Sequence, residues 1–218
     1  MKRRDFLKTV TYAAMWTASQ RCFGWSLTTE PIGGAGIDEA SGKTRADLEK
    51  MLNAIAETHA KEPFIVTRTK WLTALFDNVR LAANADDAFV HWFADCDLLV
   101  RRCWPRLKAF SESAPERKLC GKWITATNGA WQVRLDTSHT CPDWESILAL
   151  GPKGLADRAR KRRETAETDD ERLFLDCVVE VYDAFSRLCV RWAEVAEKKG
   201  MSACAESLRA IAERPPRT

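Results

Sequence analysis

Between Asp169 and Gly200, apolar residues return at Leu173, Cys177, Val181, Phe185, Leu188, Trp192 and Val195, with Ala184 and Ala196 beside the stripe. That is an α-helical period held for about seven turns. Asp169, Asp170 and Glu171 put negative charge at the end where a helix exposes unpaired N–H groups. Lys198 and Lys199 put positive charge at the other end, and Gly200 suits the position just beyond it. The pattern predicts one long central helix and, by itself, a packing role only.

Shorter periodic stretches precede it. Leu48, Met51, Leu52, Ile55 and His59 predict a first amphipathic helix, with His59 as a helix-end residue rather than a ligand. Pro63 separates it from a second, whose face is Trp71, Leu72, Leu75, Phe76 and Val79. Asp86-Asp87 is the expected start of a third helix, with Phe89, Phe93, Cys96, Leu99, Val100 and Cys103 on one face and Pro105 kinking or ending it. A fourth begins near Asp143, a capping residue, and Gly151-Pro152 is expected to bend or break it. After the long helix, Ser202 starts a short one through Leu208 and Ile211. Residues 122–124 and 131–135 alternate enough for a small hairpin around Thr127-Asn128-Gly129. The fold class expected is therefore predominantly α, about six helices with a small β-hairpin.

Composition agrees with a helical core. Of 218 residues, 45% are hydrophobic and 30% charged, and glycine and proline are sparse. The net charge of +3, from 34 basic and 31 acidic residues, is too balanced to indicate nucleic acid or an anionic membrane. The basic run Arg158, Arg160, Lys161, Arg162, Arg163 reads as a solvated helix face, because no aromatics interleave and acidic residues follow at once. None of the eight cysteines forms C-x-x-C or zinc spacing with a histidine, so no metal site is expected; most read as small buried hydrophobes.

The N-terminus reads Arg3-Arg4 followed by Phe6-Leu7-Lys8, which matches a twin-arginine export signature except that Lys2 stands where a hydroxyl residue is usual. The weakly apolar run Thr9–Ala18 is too short and polar to span a bilayer. Residues 1–27 are expected to act as an export signal, directing the chain to the periplasm if it is used and leaving it cytoplasmic otherwise. Residues 28–43 are glycine-rich and read as a flexible linker; Gly33-Gly34-Ala35-Gly36 lacks the Gly-Lys-Ser/Thr ending of a phosphate loop.

Two strings go beyond generic helix. One is His139-x-x-Pro142-Asp143-Trp144-x-x-Ile147-Leu148-x-x-Gly151-x-x-Gly154-Leu155. The other is Asp183-Ala184 followed by Arg191-Trp192-Ala193-Glu194-x-Ala196. In this order, with the closing Pro215-Pro216-Arg217-Thr218, they resemble the first part of the pyruvate formate-lyase-like domain of glycyl radical enzymes. The resemblance covers residues 44–218 and implies helices that pack outside an α/β barrel which this chain does not complete. Trp144 and Trp192 stand where the family has tyrosine.

The resemblance also implies a chemistry: radical C–C or C–O cleavage of a small substrate by a lyase or dehydratase. The family needs a glycyl radical, installed by a radical S-adenosylmethionine activase, and a thiyl-forming cysteine. The R-V-A-G-[YF] glycine motif does not occur here, and no cysteine lies in the family's active-site context. The chain is therefore expected to hold no cofactor and to be inactive alone, with a missing C-terminal half and the activase as partners. By the same resemblance His139 is the substrate-binding candidate, since a neutral imidazole can both donate to and accept from a hydroxyl; the alternative is a helix-entry histidine bonded to local backbone. The competing expectation is an exported helical module that binds a partner or ligand without catalysis.

Overall fold

The computed structural model describes residues 36–83, 92–93, 95, 97–113 and 143–216. Among them are six α-helices and a small antiparallel sheet, with no barrel closure. Strand β1 is Ile37–Asp38, and a 3₁₀ turn follows at Glu39–Ser41. Helices α1 (Arg45–Thr58) and α2 (Phe64–Asn78) lead to strands β2 (Leu81–Ala82) and β3 (Trp92–Phe93). Then come α3 (Asp97–Ser113), α4 (Trp144–Glu164), α5 (Asp169–Lys198) and α6 (Ser202–Glu213). None of the described helices is long and apolar enough to cross a membrane.

Helix α5 is the predicted long helix, and its ends explain its length. Thr168 is the N-cap, accepting from the Glu171 amide at 3.1 Å, while the Glu171 carboxylate accepts from the Glu167 amide at 3.1 Å. At the far end, the Met201 amide donates to Ala196 O at 2.9 Å and the Gly200 amide to Glu197 O at 3.0 Å. This is a Schellman closure, and it requires the left-handed φ of 78° that Gly200 supplies.

Two apolar clusters lie on α5. The larger joins Val181, Ala184, Leu188, Trp192, Val195 and Ala196 to α1 (Leu48, Leu52), α2 (Trp71, Leu72, Leu75, Phe76), α3 (Leu98, Leu99, Cys103) and α6 (Ala205). The smaller sets Leu175, Val178 and Tyr182 against Leu155, Ala156 and Ala159 of α4. The alanines let the α4 and α5 backbones approach, and full burial of a side chain such as Leu188 contributes roughly 1.5–3 kcal/mol. Polar ties flank this packing: Lys70 meets Glu180 at 2.8 Å, and Arg187 bridges Asp77 at 2.9 and 2.7 Å.

Several expectations change. Residues 36–43 are not a free linker in the structure. Ile37 and Asp38 pair with Ala82 and Leu81, and Gly42 lies so close to the end of α2 that a methyl group there would sit 2.4 Å from Val79 O. The sheet has the order β1-β2-β3, with Leu81 opposite Phe93 and Ala82 opposite Trp92. Phe93 is therefore a strand residue, and the helix that carries Leu99, Val100 and Cys103 starts at Asp97; the expected start at Asp86-Asp87, with Phe89 and Cys96, lies outside the described residues. Pro105 does not end α3, which continues to Ser113. The hairpin expected at 122–135 lies outside the described residues. Gly151-Pro152 does break α4: Gly151 has φ 63° and ψ −180°, so the helix is two segments joined at an angle.

Candidate functional site

The residues singled out by motif fall on α4 and α5. Asp143 is the N-cap of α4 and accepts from the Ser146 amide at 3.1 Å. The Ser146 hydroxyl and amide hold its carboxyl below the usual range. Asp143 is thus committed to a helix end rather than to proton transfer. Trp144, next in the motif, is half exposed. Gly151 is buried against the C-terminal segment, where a methyl group would lie 3.0 Å from Pro215 Cα and 3.2 Å from Arg214 O. At Gly154 the added carbon would lie 3.0 Å from Leu150 Cβ, across the bend.

On α5, Asp183 receives both bonds of the Arg160 Nη2 group, at 2.8 and 2.6 Å, and Arg160 also reaches Asp157 at 2.7 Å. Arg191 points inward. Its guanidinium donates to Phe76 O, Ser41 O and, at 2.5 Å, Val79 O. Two of these carbonyls belong to the C-terminal end of α2, where helix carbonyls lack partners and the dipole is negative. Burial lowers the Arg191 pKa, opposed by the charges of Asp77 and Glu194, and an arginine remains charged regardless. Glu194 itself is exposed. Motif residues Arg191 and Asp183 therefore lie on different contacts and do not converge on one point. His139 and Pro142 lie outside the described residues, as do Arg3, Arg4, Phe6, Leu7 and Lys8.

Two side-chain groups were not foreseen from the sequence. The first links Arg45, Arg80, Asp95 and Asp97. Asp95, buried and with a left-handed φ of 61°, accepts from Arg45 at 2.9 Å and Arg80 at 3.1 Å. Arg45 also grips Asp97 at 3.0 and 3.1 Å, and Arg80 grips Glu39 at 2.9 and 2.8 Å. Burial pushes Asp97 up, but its bonds to Arg45 and Arg101 outweigh that and hold it below the usual carboxylate range. Carboxylates held between guanidiniums fasten the sheet to α1 and α3 and are poorly placed to act as acids or bases.

The second is the inward side of the basic run. Arg158 is half-buried, and its Nη1 donates to Ser146 Oγ at 2.9 Å. Tyr182 lies within electrostatic reach of Arg158 and Asp143, and burial pushes its pKa up to about 12. Three other members of the run are neutralised locally: Arg160 by Asp157 and Asp183, Arg162 by Glu171, and Arg163 by Asp176. This face is a lattice of ion pairs rather than a free cationic stripe. The sequence signal for Arg158 was its place among Leu155, Ala156 and Ala159, three buried positions of α4.

Cys103, Cys177 and Cys189 are buried free thiols. Burial pushes all three up, Cys189 to about 12, so none is a ready thiolate. Among the described residues, no group of three His, Cys, Asp or Glu side chains could hold a metal ion. Comparison of the chain with protein-family models, with curated proteins and with solved structures yields no match.

Proposed function

We propose that this chain is an outer helical unit of the glycyl radical enzyme type, the part of a lyase or dehydratase that packs outside its barrel, and that it performs no radical chemistry alone. The reading rests on the ordered motif strings. The observation that most supports it is the junction of Gly151 with Pro215: the two motif-bearing segments, remote in sequence, meet so closely that a Cβ on Gly151 would lie 3.0 Å from Pro215 Cα. Asp143 as cap, Asp183 as ion-pair partner and Arg191 as carbonyl clamp are the roles of joints, not of reacting groups. In this reading the partners are a C-terminal half carrying the thiyl cysteine and radical glycine, and a radical S-adenosylmethionine activase. The substrate would be a small molecule, with His139 as the residue of this chain nearest to it.

The test is anaerobic activation. The full chain, incubated with such an activase and S-adenosylmethionine, is expected to give no glycyl doublet in the electron paramagnetic resonance spectrum, while a complete glycyl radical enzyme in the same mixture gives one. A doublet from this chain alone overturns the reading. The coding sequence just downstream offers a second check: an in-frame or frameshifted continuation encoding the missing half is expected.

One observation favours a second reading, an exported helical module that binds a partner without catalysis. The apolar stripe of α5 is covered by this chain's own helices. Leu188 and Trp192 are buried, and Phe185 packs edge-on against Phe76 with ring centroids 5.9 Å apart. The twin-arginine-like start is in keeping with export, and a clean gene boundary downstream would favour this reading over the first.

A further inference from the structure

We propose that the first two turns of α4, Trp144–Leu150, form a hinged flap over a carboxylate-binding arginine, Arg158. The inference does not depend on the radical-enzyme reading. No residue of Trp144–Leu150 is buried, and Trp144 and Leu148 are 51% and 56% exposed. Beyond Gly151 the same helix is anchored by buried Pro152, Leu155, Ala156 and Ala159. The two parts meet at a backbone conformation that essentially only glycine adopts. Ile147 and Leu150 pack against the smaller core cluster, and one hydrogen bond, Arg158 Nη1 to Ser146 Oγ at 2.9 Å, latches the flap to the body.

On the same guanidinium, Arg158 Nε and Nη2 are buried with no acceptor among the described residues. These two atoms form the edge of a guanidinium that a carboxylate bridges with two parallel hydrogen bonds. Burying charged-group donors unpaired is costly, so the closed flap carries a penalty that a carboxylate can remove. The Tyr182 hydroxyl, neutral at physiological pH, lies in the same neighbourhood and can supply a further donor. Asp143, which would repel the ligand, sits at the N-terminal tip of the flap, the end away from Gly151, and moves with it. Opening about Gly151 thus withdraws Ser146 and Asp143 together and uncovers the Arg158 edge.

The test uses the full chain and acetate, with acetamide as the neutral isostere and chloride holding ionic strength constant. Acetate is expected to give a saturable change in tryptophan fluorescence that Trp144→Phe removes, together with altered hydrogen exchange at residues 147–150; acetamide gives neither. Arg158→Lys is expected to weaken acetate binding roughly tenfold or more, because an ammonium cannot form the paired contact. Ser146→Ala, which breaks the latch, is expected to tighten binding several-fold. The proposal is overturned if acetate and acetamide act alike, if Arg158→Lys binds acetate as the parent does, or if Ser146→Ala leaves the affinity unchanged or lower.

Discussion

Gly151→Ala is expected to destabilise the fold by about 2–5 kcal/mol, from two independent causes. The first is backbone strain. Gly151 holds φ 63° with ψ −180°, a combination that side chains with a Cβ strongly disfavour. The second is steric. The new methyl group would sit 3.0 Å from Pro215 Cα and 3.1 Å from Pro215 N, and backbone cannot step aside as a flexible side chain can. The variant therefore either straightens α4 or expels the C-terminal segment. For a chain of this size each kcal/mol lowers the melting temperature by roughly 2–4 °C, which calorimetry or thermal circular dichroism reads directly. A melting temperature within a degree of the parent would show that the junction is not a tight contact.

Arg191→Met is expected to cost about 2–4 kcal/mol, because it keeps an apolar stem of similar length but leaves the carbonyls of Phe76, Val79 and Ser41 without their donor. The loss should be felt in three places at once: the end of α2, the segment after β1, and the middle of α5. Arg191→Lys is expected to recover less than half of it, since one ammonium cannot span three carbonyls that a planar fork reaches. Denaturant unfolding of the two variants beside the parent checks both statements. A lysine variant as stable as the parent would mean that positive charge alone, not the fork, is what the site uses. Because the partners are carbonyls, the effect is expected to change little between pH 5 and 8.

The residues that were legible in the sequence are those whose role is local. The α5 stripe repeats for the length of the helix, so its period stands out. Asp143 as cap and Gly151-Pro152 as break are both set by immediate neighbours. What was not legible depends on distant partners or on very short elements. Strands of two residues carry no alternation to detect. Phe93, Leu99, Val100 and Cys103 fit one helical face on paper, but Asp95 adopts a left-handed φ between them, and its two guanidinium partners come from Arg80 and from Arg45, fifty residues upstream. The glycines before Thr44 suggested freedom. Gly42 instead marks a close approach, and Ser41 O is one of the three carbonyls on Arg191.

The motif residues teach a related lesson. The arrangement His139 to Leu155 and Asp183 to Glu194 drew attention to a family and to its radical chemistry. In the described part of the chain those positions cap, bend and clamp helices. Arg158, which lies inside a basic run in the sequence, keeps two buried donors without an acceptor among the described residues.

The apolar stripe of α5 packs into two clusters formed with this chain's own described helices. Native-state hydrogen exchange on the full chain reads that packing residue by residue. The expected result is that amides of residues 178–195 exchange only through global unfolding, with the same free energy as buried amides of α2, in a chain that unfolds in one transition. Exchange of the 181–192 amides within minutes, well below the free energy of global unfolding, would contradict it and would mean that the stripe waits for a covering the chain does not provide.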